Sequence, residues 1–222
     1  MTDKNLHQDG LTLLRLGRVL LASVALGGML GGCVAVIGGA MVGGSMMAVD
    51  RRSTGAQVDD QTIEVRAATA VSAALGERGH VNVSSYNRVV LVTGEVPTEA
   101  DRAKVEAVVT KVENVRAVLN ELAVMPNTSL VDRSNDTAIT GKVKAAFVDA
   151  KGLQVASIKV VTERGVVFLM GRVTEAEATL AGNVARAVGG VQKVVKVFEI
   201  ITPAELAAMP VPPSGAASAA GK

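Results

Sequence analysis

The pattern Asp60-x-x-Ile63-x-x-x-Ala67-x-x-Ala70-Val71 returns as Asp136-x-x-Ile139-x-x-x-Val143-x-x-Ala146-Phe147. The echo continues downstream. Val81-Asn82-Val83 answers to Ile158-Lys159-Val160, and Val112-Glu113-Asn114-Val115 to Val188-Gly189-Gly190-Val191. Val89-Val90-Leu91-Val92-Thr93-Gly94-Glu95-Val96 answers to Val166-Val167-Phe168-Leu169-Met170-Gly171-Arg172-Val173. The offset stays constant to within a residue. Self-similarity at such a period marks a structural unit used twice. The chain therefore folds as two copies of one small module rather than around one large core.

Each copy carries the same order of local signals. Ile63, Ala67, Val71 and Ile139, Val143, Phe147 fall at i, i+4, i+8, which is one apolar stripe of a helix. Asp60 and Asp136 stand three residues before that stripe, where a carboxylate is expected to cap the helix. A hairpin follows. Its strands hold Val81, Val83 and Ile158, Val160, and its turns are Tyr86-Asn87-Arg88 and Glu163-Arg164-Gly165. Gly165 can take the positive φ that a short hairpin loop needs. Gly94 and Gly171 are expected to end the second strand, at a sharp turn into a helix. That helix opens with Thr98-x-x-Asp101 or with Thr174-x-x-Glu177, the second being a capping box. Its apolar face is Val105, Val108, Val109, Val112 in one copy and Leu180, Ala181, Val184, Val188 in the other. A last strand takes residues 115–124 or 191–201. The fold class is α+β: two tandem αββαβ modules, each a three-stranded sheet with two helices on one face.

The modules are placed at residues 59–125 and 134–201, with 126–133 as a linker short enough that the copies either touch or are closely restricted. From residue 202 the chain holds Pro203, Pro210, Pro212 and Pro213 among Gly, Ala and Ser. Such a 202–222 tail cannot build a core and is expected to be disordered, although residues 204–209 can add a helical turn.

Ahead of the modules, Lys4, Arg15 and Arg18 precede an apolar run over residues 19–30, and Leu30-Gly31-Gly32-Cys33 closes it. Basic start, apolar core and small residues at a cleavage point are the order of an export signal. The tetrapeptide resembles a bacterial lipobox, in which the cysteine is acylated and becomes the first mature residue. Residues 1–32 then form a signal peptide, and residues 33–58 an acylated Cys33 with a Gly-rich tether. A competing reading is a membrane-spanning anchor. No charge occurs from residue 19 to 49, longer than the ~20 residues a span needs. Glycine pairs through that run weaken the helix.

Composition removes several functions. A net charge of +2 gives no electrostatic case for nucleic acid, and 2% aromatics with no tryptophan leave no stacking platform. One cysteine and two histidines, His7 and His80, leave no ligand set for a structural zinc site. His80 has no evident acidic partner, and Ser84, Ser85 and Ser134 have no recognisable base, so a nucleophilic triad lacks support. No Gly-rich phosphate loop opens a helix after a strand. An enzyme, a metal and a cofactor are not expected.

The Ile-x-x-x-[AV] helix, the Val-rich hairpin, the Gly-x-Val strand end and the Val-x-x-Val step resemble the BON domain. Two copies behind a lipobox resemble the dual-BON outer-membrane lipoproteins of Gram-negative bacteria. Three stretches sharpen the match: residues 50–60, Ser134-Asn135-Asp136-Thr137, and residues 161–171. The resemblance implies a lipid-anchored protein on the outer membrane, facing the periplasm and supporting envelope integrity, with a hint of recruitment to the division site. It also implies that the second BON domain binds anionic phospholipid through its first helix and the approach to it. Carried over by position, that surface is Ser134, Asn135, Asp136, Thr137, Ile139, Thr140, Lys142 and Val143. Family members carry a tryptophan between the threonine and the isoleucine; here the residue is Ala138, so contact leans on Lys142, Lys144 and Phe147. Val34 after the cysteine fits outer-membrane sorting. Read from spacing alone, Ile139, Val143 and Phe147 belong to the core, and Lys142 and Lys144 to a solvated helix face.

Two other functions fit the same residues. One is a protein-binding or chaperone-like envelope module whose only lipid contact is the acyl group. The other is a structural brace that self-associates through the Gly-rich run.

Overall fold

The computed structural model describes residues 50–209. The signal, the lipobox with Cys33, most of the tether and residues 210–222 lie outside the described residues. Each copy of the repeat folds as the pattern predicts. The first holds α1 (Thr54–Leu75), β1 (His80–Tyr86), β2 (Val89–Val96), α2 (Glu99–Thr110) and β3 (Ala117–Val124). The second holds α3 (Leu130–Asp149), β4 (Ile158–Glu163), β5 (Val166–Val173), α4 (Glu175–Arg186) and β6 (Lys193–Ile200). In each sheet the middle strand pairs antiparallel with its hairpin partner and parallel with the last strand, which it reaches through a crossover helix.

The predicted stripes are the cores. Ile63, Ala67 and Val71 pack on Val90, Val92, Val105, Val109 and Leu122. Ile139, Val143 and Phe147 pack on Val167, Leu169, Ala178, Ala181 and Ala185. Thr98 and Thr174 cap α2 and α4 as expected, the latter with Glu177 in a capping box.

Four expectations change. Asp60 and Asp136 are not caps. Helix α1 starts at Ser53, and α3 at a Ser129–Asp132 capping box, so both aspartates sit inside helices and are buried. The apolar stripe begins later than the helix does, which makes an interior carboxylate look like a cap. Second, Gly94 and Gly171 lie inside β2 and β5, opposite Val81 and Ile158. A Cβ there would sit 2.0 Å from the His80 carbonyl oxygen, or 2.4 Å from that of Ser157. The glycines therefore admit the neighbouring strand, not a turn. Third, residues 50–58 are structured rather than tether, and α3 occupies half of the expected linker. Fourth, the start of the tail is ordered: Thr202 and Glu205 cap a short helix α5 (Pro203–Ala208).

The sheets use both faces. The sides turned away from the helices meet each other, where Tyr86 and Leu91 of the first module pack with Phe168 and Met170 of the second. Polar bridges ring this seam. Arg51 makes a bidentate pair with Glu177, both contacts at 2.7 Å, and exchanges backbone bonds with Arg172. Glu199 accepts from Asn87 at 2.7 Å and from Arg116 and Arg172 at 2.9 Å. Lys159 pairs with Glu64, and Arg164 reaches Glu95 at 2.8 Å. Arginine forks on carboxylates add orientation as well as attraction.

Candidate functional site

The hairpin turns explain why an aspartate occupies the middle of each first helix. Both are two-residue turns with positive φ at each central position: Asn87 (50°) and Arg88 (65°), then Arg164 (51°) and Gly165 (70°). Side chains other than glycine pay roughly 1–2 kcal/mol there. The helix carboxylate offsets this by collecting the turn amides. Asp60 accepts from the amides of Asn87 and Arg88, both at 2.7 Å, from the Ser85 hydroxyl at 2.7 Å and from Arg52 at 2.8 Å. Asp136 accepts from the amides of Arg164 and Gly165 at 2.7 and 2.8 Å. Burial opposes ionisation of Asp60, but its Ser85, backbone and Arg52 donors outweigh burial and hold its pKa below the ordinary value.

The same geometry locates the eight residues that the family resemblance implies for a lipid surface. Asp136, Ile139 and Val143 are buried, the first on the turn and the others in the core. Thr140 is half-buried and bonded to the Thr162 hydroxyl at 2.7 Å. Ser134, Asn135, Thr137 and Lys142 are exposed. Phe147 is wholly buried in the core and takes no part in a surface.

The spacing of α3 gathers further exposed residues onto one face. Leu130, Ser134, Ala138, Gly141, Ala145 and Val148 fall along a single outward stripe, all exposed. Val131, Thr137, Lys142 and Lys144 flank it, also exposed. Leu130, Val131 and Val148 leave 80%, 68% and 72% of their surface open. The stripe holds no acidic residue and has lysines beside it. Sequence reasoning named Lys142 and Lys144 but missed Leu130, Val131 and Val148, since the expected domain began only at residue 134. The signal was present as apolar residues at positions that the core stripe does not use.

Lys144 also reaches the rim of a polar cleft of about 380 Å³ between the modules, lined by Arg52, Asp60, Glu64, Ser85 and Lys159 among others. His80 departs from its sequence reading. It lies 3.6 Å from Glu95, a partner that no local spacing reveals because the two meet across the β1–β2 ladder. Among the described residues, no helix is long and apolar enough to cross a membrane.

A family model of the BON domain matches residues 59–126 and again residues 135–202. The chain is similar to the outer membrane lipoprotein DolP of Haemophilus influenzae, 42% identical over 174 residues, which cover 77% of this chain and 89% of that one. It is 36% identical over 155 residues to the 21 kDa hemolysin of Actinobacillus pleuropneumoniae, covering 69% and 80%. It is 30% identical over 145 residues to the osmotically-inducible protein Y of Escherichia coli, covering 62% and 70%.

Proposed function

The chain belongs to the BON domain family, with two BON domains in tandem, and from that premise we propose an outer-membrane lipoprotein that reads anionic phospholipid through α3. In this reading Cys33 carries the acyl chains, the body faces the periplasm, and its role in envelope integrity is binding rather than catalysis. The name of the Haemophilus relative supports the lipoprotein and its membrane.

The observation that carries the lipid reading is the outward stripe of α3. An apolar helix face lies at a membrane interface with its side chains among the headgroups and upper acyl carbons. Leu130, Val131 and Val148 are placed for that, and each lysine beside an anionic surface contributes about 1 kcal/mol. An acyl anchor elsewhere on the chain keeps this weak contact concentrated at the surface.

Flotation of the chain lacking residues 1–33 tests the lipid reading. It is expected to rise with vesicles containing phosphatidylglycerol and to stay down with phosphatidylcholine. Equal failure with both would overturn it. Intact mass of membrane-extracted protein, beside Cys33→Ser, tests the anchor. A chain starting at Cys33 with added acyl mass is expected, and an unmodified full-length chain would refute it.

A further inference from the structure

We propose that His80, Glu95 and Glu163 form a divalent-cation site of the zinc class that joins the two modules. His80 opens β1 and stands directly opposite Glu95 on β2. Glu163 ends β4 in the other module and is drawn in by Asn82, whose side-chain amide donates to it at 3.0 Å. Donor atoms of the three side chains lie within 4.8 Å of one another. Imidazole nitrogen and carboxylate oxygen are both ordinary zinc ligands. The exclusion drawn from composition counted only thiolates and imidazoles; here two carboxylates complete the set.

Three further observations point to a cation. The Nδ1 atom of His80 is buried without a hydrogen-bond partner, alone in this among side-chain nitrogens and oxygens of the described residues. Leaving such an atom unpaired destabilises the fold, and a metal bond would recover the loss. That nitrogen is 3.6 Å from a Glu95 oxygen, near the ~3.4 Å edge of a tetrahedron with zinc bonds of about 2.0–2.2 Å. Glu163 is 3% exposed and has no Lys or Arg ion pair among the described residues. Glu95 is fully buried and has one, Arg164. With the imidazole neutral, the two glutamates and Arg164 leave one negative charge in excess, Arg133 and Asp136 of the same cavity offsetting each other, and a dication would reverse it.

The surroundings suit a held ion. The Thr128 amide and hydroxyl donate to Glu95 at 3.2 and 3.1 Å, and Asn82 orients Glu163. Such outer contacts fix ligand geometry. A cavity of about 250 Å³ borders His80 and Glu163, giving a path for entry and room for a water as fourth ligand. Closing all three donors onto one ion takes side-chain movement of roughly 1 Å. Because the ligands come from both modules, the ion would hold the seam together and raise its stability by mass action.

The test uses the full chain in detergent, stripped of metal and titrated with Zn²⁺ alone by calorimetry. One ion per chain is expected, with a thermal midpoint that climbs with zinc. His80→Ala, at a partly exposed position, and Glu163→Gln are each expected to weaken uptake by at least about 10-fold and to abolish the climb. Co²⁺ in the unaltered chain reads the site without any substitution: a visible absorption of tetrahedral strength is expected. No saturable uptake would overturn the proposal. So would uptake undiminished by both substitutions, which would place the ion outside this cluster.

Discussion

The hydroxyl of Tyr86 donates to the backbone carbonyl of Ser157 at 3.0 Å, across the seam between the modules. The ring is buried with Leu91, Phe168 and Met170, and the Arg52 guanidinium stacks 4.3 Å from its centre. Burial, reinforced by the nearby Asp50 charge, pushes the phenol up to about 12, so it remains a donor at every pH a cell reaches. Tyr86→Phe is expected to cost about 1 kcal/mol, the net worth of one hydrogen bond. Phe168→Ala removes the other aromatic side chain of the same cluster and should cost about 3–4 kcal/mol. Urea titration checks both. If the modules lean on each other as the seam indicates, the alanine variant should also broaden or split the transition.

Asp60 and Asp136 give a second prediction. Asp60→Ala strands two turn amides and the Ser85 hydroxyl, leaves Arg52 with Asp50 alone, and should lose about 3 kcal/mol. Asp136→Ala strands two amides and should lose about 2 kcal/mol. Because the turns hold the β1–β2 and β4–β5 registers, amide exchange is expected to accelerate first in those hairpins. A loss spread evenly over the module would contradict the assignment.

Acid should act through Asp60 and two carboxylates of the seam. Asp60, Glu177 and Glu199 all have pKa values held below normal by their donors, against the opposing effect of burial. Groups depressed in the folded state stabilise it fully above their unfolded values, about 4 for carboxylates, and that contribution disappears as pH falls through the folded values. Urea midpoints should therefore be flat from pH 7 to about 5.5 and decline below about 4.5. Asp60→Asn should make the decline shallower, in addition to lowering the plateau.

The outward stripe of α3 makes a prediction in the gaining direction. Ala138 is exposed in mid-stripe, where an indole would sit among the headgroups. Ala138→Trp should increase binding to phosphatidylglycerol vesicles with little change in stability. Lys142→Glu with Lys144→Glu should lower it about 30-fold or more, from roughly 1 kcal/mol per lost lysine plus new repulsion. Vesicle co-sedimentation at low and high salt reads both, and the lysine effect should fade with salt.

The repeat made both modules readable from their apolar spacing, down to Ile63 and Ile139 on the core side of their helices. Helix starts were misplaced because Ser53 and Ser129 open turns with no apolar periodicity, while Asp60 and Asp136 imitate caps. The seam escaped because its pairs, such as Arg51 with Glu177, are separated by 126 positions and have no shared pattern. One clue was available. Residues 89–92 and 166–170 are unbroken apolar runs, as expected of strands covered on both faces, whereas helices alone cover one. His80, Glu95 and Glu163 likewise become neighbours only once hairpin register and seam are both in place.

Leu91 and Phe168 hold equivalent places in the repeat, and both contribute to the shared cluster between the sheets. The protein is in effect a dimer written into one chain, with matching surfaces facing each other. Only the stretch from the end of β3 at Val124 to the start of α3 at Leu130 joins the halves. So short a connection keeps each half at a local concentration on the order of millimolar for the other. Surfaces that would part company as separate polypeptides stay engaged here.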